Sequence, residues 1–263
     1  MKSILKSLIV IIVGVSIILS ATPALAQVGS AATGTPGSKM TVEQRIAKRK
    51  EKANQEINRR LASLAKLKTI IQNMKHITDT QKASLTATID AQVASLTALK
   101  TKIAADTDLN TLKTDQKQIT QSHRIYALVL PQVQILAAAN RALNVSELLM
   151  ALTLKLEERI NKAASEGKAV TSLQTALTDM KAKIADAKVQ AEAAITAVVS
   201  LTPDNGDQAK ATLNRQALLD GRAKLKAARV ANNAAKQQAQ VIRQGLRGFG
   251  TATTTPATPP VTP

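Results

Sequence analysis

Between Thr41 and Gly250, apolar residues recur at steps of three and four with polar residues between them, and alternation by two is hard to find. That period is the signature of helices packed along one face. Thr41-Val42-Glu43-Gln44 fits a capping box, so the first helix is expected to begin at Thr41. Its seam runs Ile46, Ala53, Ile57, Leu64, Leu67, Ile71, Met74, interrupted by Lys50 and Arg60. Four-residue spacing pairs Glu56 with both Lys52 and Arg60 on the exposed face. A second box, Thr78-Asp79-Thr80-Gln81, opens the next helix, with seam Leu85, Ile89, Gln92, Leu96, Leu99, Ile103. Asp106-Thr107-Asp108 marks its end.

A third helical stretch from about Asp108 holds the richest apolar content, from Ile119 through Leu136 and on to Leu148, Leu152 and Ile160, and reads as the central element. Pro131 lacks a backbone donor and predicts a kink, and Asn144-Val145-Ser146-Glu147 predicts a second irregularity where the helix restarts. The fourth helix has the cleanest seam: Leu173, Leu177, Met180, Ile184, Ala187, Ala191, Ala194, Val198, Leu201, in steps of four and three. From Val170 to Leu201 it would span about 48 Å. Pro203-Asp204-Asn205-Gly206 is a turn. The last helix, about Asp207 to Leu246, has a weak seam (Leu213, Leu218, Leu225, Val230, Val241) and is expected to pack least well. The expected fold is all-α, an elongated antiparallel helical bundle or coiled coil across residues 41–250.

The ends read differently. In residues 1–26, Lys2 and Lys6 precede the apolar run Leu8 to Leu19, and Ala24-Leu25-Ala26 is a small-x-small cleavage site. This is the pattern of a bacterial Sec-type signal peptide, cut between Ala26 and Gln27, so the protein is expected to be exported. Residues 27–40 are Gly/Ser/Ala/Pro-rich and residues 251–263 Thr/Pro-rich, giving a flexible leader and a disordered tail. The later apolar segment Tyr126 to Ala139 is interrupted by Pro131, Gln132 and Gln134 and reads as core, not as a membrane span.

Composition and charge sharpen this reading. There is no Cys or Trp, one Tyr and one Phe, so stability rests on Ala, Leu, Ile and Val in helix seams, without disulfides. The chain carries +18, and the excess lies at its two ends. Thr41 to His76 has ten basic against three acidic side chains, and Thr202 to Gly250 has nine against three. The middle is close to neutral. Such asymmetry points to a polyanionic partner. The candidate binding residues are Arg45, Lys48, Arg49, Lys50, Lys52, Arg59 and Arg60 in the first helix and Arg222, Lys224, Lys226 and Arg229 in the last.

Catalytic chemistry finds little support. His76 sits at an expected helix end and His123 beside Arg124; each reads as an ordinary surface or end-cap histidine, with no spacing that would hold a transition metal. Asp106-Thr107-Asp108-Leu109-Asn110 imitates half a calcium loop, but Thr111 stands where the sharp turn needs Gly and Lys117 where the bidentate Glu belongs. Gly34-Thr35-Pro36-Gly37-Ser38-Lys39 lacks the spacing of a phosphate loop. No cofactor is expected, and an enzyme is disfavoured.

Ile77-Thr78-Asp79-Thr80-Gln81 resembles the LTxxQ motif of a family of small, basic, all-helical periplasmic chaperones, with Ile for Leu and one copy where that family carries two. The layout of signal, basic helices, the segment Arg124 to Gln132 and the Thr/Pro tail resembles exported helical proteins of candidate-phylum (Patescibacteria-type) bacteria, a likeness that implies no activity. Three functions compete. The first is a cell-surface or envelope scaffold or adhesion protein whose basic ends contact an anionic envelope polymer, lipid head groups or another helical protein. The second is an extracytoplasmic chaperone. The third is a non-specific extracellular nucleic-acid binder, disfavoured because Tyr126 and Phe249 cannot supply stacking platforms.

Overall fold

A computed structural model describes residues Met40–Gly250; the expected signal peptide and cleavage site, the expected leader up to Lys39 and the expected tail lie outside the described residues. Within them the fold is all-α, with no strand. Six α-helices follow one another: α1 Val42–Gln72, α2 Asp79–Ala105, α3 Leu109–Gln121, α4 Leu130–Ser165, α5 Thr171–Val198 and α6 Gln208–Gly250, with a π turn at Ile125–Val129 between α3 and α4.

Both capping boxes form. Thr41 Oγ1 accepts from the Gln44 N–H while the Gln44 side chain accepts from the Thr41 N–H, and Thr78 and Gln81 repeat the arrangement. Asp108 caps α3, its carboxylate accepting from the N–H groups of Asn110 and Thr111. These bonds hold the Asp108 carboxyl below its ordinary pKa, the Thr111 amide contributing most.

Contacts between helices set their directions. Lys68 of α1 bonds Asp90 and Lys100 of α2 bonds Asn58, so α1 and α2 run antiparallel. Arg49 meets Gln116, Ser63 lies 3.4 Å from Tyr126, and Lys75 and His76 donate to Asn140. The segment Arg49 to His76 therefore runs parallel to α3, the π turn and the start of α4. In the second half, Gly221 lies against Ala194 and Val198, and Gly245 against Leu173, so α5 and α6 are antiparallel. One apolar core joins α1, α2 and α3 to the first half of α4 and the adjoining ends of α5 and α6. A second lies between the far half of α4 and the rest of α5 and α6. Both cores draw on α4, which is the central element expected from its composition.

The chain between Asp108 and Glu147 departs from expectation. Helix α3 stops at Gln121, and the π turn follows, with the Leu130 N–H reaching back to the Ile125 carbonyl. Pro131 then sits in the first turn of α4 and not at a mid-helix kink. A proline there forfeits no mid-helix bond, and the wider turn ahead of it takes up the irregularity its ring would otherwise force. Nor does the helix restart near Asn144: α4 runs unbroken through Ser165. The polar side chains that suggested a restart point at neighbours. Asn144 faces His76 after the end of α1, and Ser146 is buried against Asn232 of α6. Among the described residues, the stretch Leu109–Ser165 is long and apolar enough to cross a membrane, and half of its most apolar window is buried against other helices.

Helix α6 also corrects the sequence reading. Leu213, Val230 and Val241 are exposed, while Leu218, Leu225, Ala228, Ala231, Ala235, Ala239 and Ile242 form the buried face. This face packs closely on α5 because its contact residues are small. A Cβ on Gly221 would lie 2.7 Å from Val198 Cγ1. Hydrophobic size misled the reading, since Ala and Gly carry the close approach. In α5 all seam positions through Val198 are buried, and Leu201 beyond the helix end is half-buried.

Candidate polyanion-binding face

The structure divides the predicted α1 cluster. Arg45, Lys48 and Lys52 are exposed. Arg49 is half-buried and reciprocally bonded to Gln116, and Lys50 Nζ donates to the Ala104 carbonyl at 2.7 Å, capping the end of α2. Arg59 is exposed but paired with Glu56 and lies 5.3 Å from the Tyr126 ring centroid. Arg60 is not a surface ligand at all. It is 5 % exposed, pairs with Glu56 at 2.8 Å and lies 4.7 Å from the Tyr126 centroid. The interruption it makes in the apolar seam is a buried cation paired with a half-exposed carboxylate. Glu56 is occupied by Arg59 and Arg60, so the expected Lys52–Glu56 pair does not form.

The α6 cluster is intact: Arg222, Lys224, Lys226 and Arg229 are all exposed. Among the described residues, none of the nine Lys and Arg side chains of α6 has an ion-pair partner. Its one acid, Asp220, accepts from Gln216. Helices α1 and α6 do not pack side by side; α1 lies on α2, α3 and α4, and α6 on α4 and α5. Their charges are not brought into one cluster.

The sequence reading missed Arg215, Lys236 and Arg243. With Arg222 and Arg229 they form a series of five cations at strict seven-residue spacing. Seven residues are two helical turns less about 20°, so the series follows one side of α6 with a slow drift. Each member borders a cavity: Arg215 and Arg222 one of about 680 Å³, Arg229 and Lys236 one of about 280 Å³, and Arg243 one of about 300 Å³. The first two lie between α6 and the π turn and α4, whose wall supplies Arg124 and Arg141. Arg124 is held by Asp204, Nε to Oδ2 3.4 Å, and Asp204 is itself buried. Asp204 also accepts from the Gly206 N–H, closing the turn in which Asn205 (φ 50°) and Gly206 (φ 96°) take left-handed backbone. The seven-residue recurrence was visible in the sequence; its place beside α4 was not.

Of the two histidines expected at the surface or at a helix end, His76 is half-buried just after α1, while His123 departs from that expectation because α2 and α1 enclose it. His76 Nε2 lies 2.9 Å from Asn144 Oδ1. His123 is buried with Nδ1 3.0 Å from Gln92 Oε1, and burial, aided by the Arg60 charge, pushes its pKa down. Among the described residues no group of three His, Cys, Asp or Glu side chains is placed to hold a metal ion. No family model, curated protein or solved structure matches this chain.

Proposed function

We propose that this chain is an exported, non-enzymatic binding protein of the bacterial cell envelope, a helical scaffold that holds an anionic partner on its basic faces. The observation that carries this reading is the α6 surface, where nine cations stand without an ion-pair partner among the described residues. Unpaired charge of one sign destabilises a surface by self-repulsion, and an anionic partner relieves it. The exposed Arg45, Lys48 and Lys52 of α1 form a second, smaller contact. The unbroken four-three seam of α5 supports coiled-coil packing of the scaffold. Export rests on the Lys2-to-Ala26 pattern.

The test replaces Arg222, Lys224, Lys226 and Arg229 with Gln and titrates an anionic wall polymer, with duplex DNA as comparison, at two salt levels. Binding by wild type is expected to weaken steeply with salt, and the variant to bind more weakly with a shallower salt slope. Equal affinity of the two proteins, or affinity indifferent to salt, contradicts the reading.

A second reading, an extracytoplasmic chaperone, is favoured by one observation. Leu148 and Leu154 of α4 and Leu213 of α6 are 72 %, 64 % and 70 % exposed. Suppression of client aggregation that persists in high salt would select it.

A further inference from the structure

Taking the anionic-partner reading as its base, we infer that the groove between α4 and α6 receives an acidic helix of a partner protein as an additional bundle helix. Three observations converge. The cations Arg215, Arg222, Arg229, Lys236 and Arg243 recur every seven residues. At 1.5 Å per residue they stand about 10.5 Å apart and cover about 42 Å. Every one of them borders a cavity; that of Arg215 and Arg222 lies between α6 and the π turn that leads into α4, and that of Arg229 and Lys236 between α6 and α4 itself. Finally, the groove has an apolar component. Ala138, Ala142 and Val145 line it beside Lys236, and Leu219 lines its other end while remaining 49 % exposed.

A flexible polyanion needs cations but gains little from a seven-residue period or from a floor of small apolar side chains. A helix crossing at a shallow left-handed angle uses both. Its apolar stripe enters between the small residues, and Glu or Asp at every seventh position meets the flanking cations, as charges beside a helix seam set partner choice in coiled coils. Charge complementarity fixes the sign. The groove walls hold Arg124 and Arg141 besides the α6 series, and the one carboxylate among the residues lining the cavities against the π turn and α4, Asp204, is already engaged by Arg124.

The experiment uses the mature chain and two synthetic 28-residue peptides of identical composition. One carries Glu at every seventh position beside an Ala/Leu seam; the other has the same residues scrambled. Titration by fluorescence anisotropy at physiological salt is expected to give at least tenfold tighter binding for the patterned peptide. A triple variant, Arg222→Glu, Arg229→Glu and Lys236→Glu, is expected to lose at least thirtyfold. An α3 control at two exposed cations outside both basic faces, Lys113→Glu with Lys117→Glu, is expected to bind the peptide as wild type does, and circular dichroism confirms that both variants fold. Equal binding of patterned and scrambled peptides overturns the helix proposal and leaves the anionic-partner reading standing. Binding of wall polymer or DNA with no binding of either peptide does the same. Failure to bind any of these polyanions removes both.

Discussion

The guanidinium carbon of Arg60 stands 4.7 Å from the centroid of the Tyr126 ring, joining α1 to the π turn. The same guanidinium pairs with Glu56 one turn back, and its Nε is buried without a hydrogen-bond partner. Cation–π attraction and a packed aliphatic stem together hold a charged residue inside a helix seam. Arg60→Ala is therefore expected to lower stability by about 1–3 kcal/mol, the range of cation–π and packing losses at a desolvated site. Affinity for anionic polymer should stay at the wild-type level. Urea unfolding and polymer titration of the one variant check both halves, and a loss of affinity with unchanged stability would return Arg60 to the binding face.

Gly221→Ala sets two effects against each other. Alanine favours a helix over glycine by about 1 kcal/mol. At Gly221, however, the added methyl would meet Val198 Cγ1 at 2.7 Å, with Ile135 Cγ2 at 3.4 Å behind it. Val198 is short and β-branched, and its rotamer is restricted within α5. Overpacking of about 1–3 kcal/mol is expected to win, so the denaturation midpoint should fall. The pair Gly221→Ala with Val198→Ala should recover more than Val198→Ala alone predicts. A raised midpoint for the single variant would mean that the two helices separate at little cost.

Buried His123 links stability to pH. Its folded-state pKa is depressed, first by burial and then by Arg60 of α1, while Gln92 of α2 faces its Nδ1. The unfolded chain, with a histidine of ordinary pKa 6.5, takes the proton more readily. The contribution of His123 is thus complete above that value, and stability falls as the pH drops below it until the folded-state pKa is reached. His123→Gln should flatten this part of the curve. The check is the difference between wild-type and variant unfolding free energies from pH 7.5 down to about pH 5; a difference independent of pH contradicts the assignment.

Asn140 Oδ1 accepts from the N–H groups of both Lys75 and His76, at 2.8 and 2.9 Å. These donors belong to the segment after α1, so one α4 side chain ties down the connection into α2. Asn140→Ala leaves them without this acceptor and is expected to cost about 1–3 kcal/mol. Asn140→Asp keeps an acceptor and should cost less. Amide exchange at Lys75 and His76 should accelerate in the alanine variant; unchanged protection there would show that the bond is dispensable.

Helix existence, both capping boxes, the α5 seam and the turn before α6 were legible in the sequence because each depends on residues within one or two turns of one another. Thr41 and Gln44, or Asp204 and Gly206, meet whatever the rest of the chain does. The seven-residue cation series was equally local and was hidden only by attention to apolar size. What tertiary structure alone decided concerns side chains whose partners lie far along the chain. A lone Arg60 reads as surface charge until Tyr126 is brought over it from the π turn. Asn144 and Ser146 read as a helix restart until His76 after α1 and Asn232 of α6 supply partners for them. Ala228, Ala231 and Gly221 read as poor packing until α5 comes close enough to use their small volume. Burial and pairing of a polar or small residue depend on the element laid against it, and local sequence does not encode that distance.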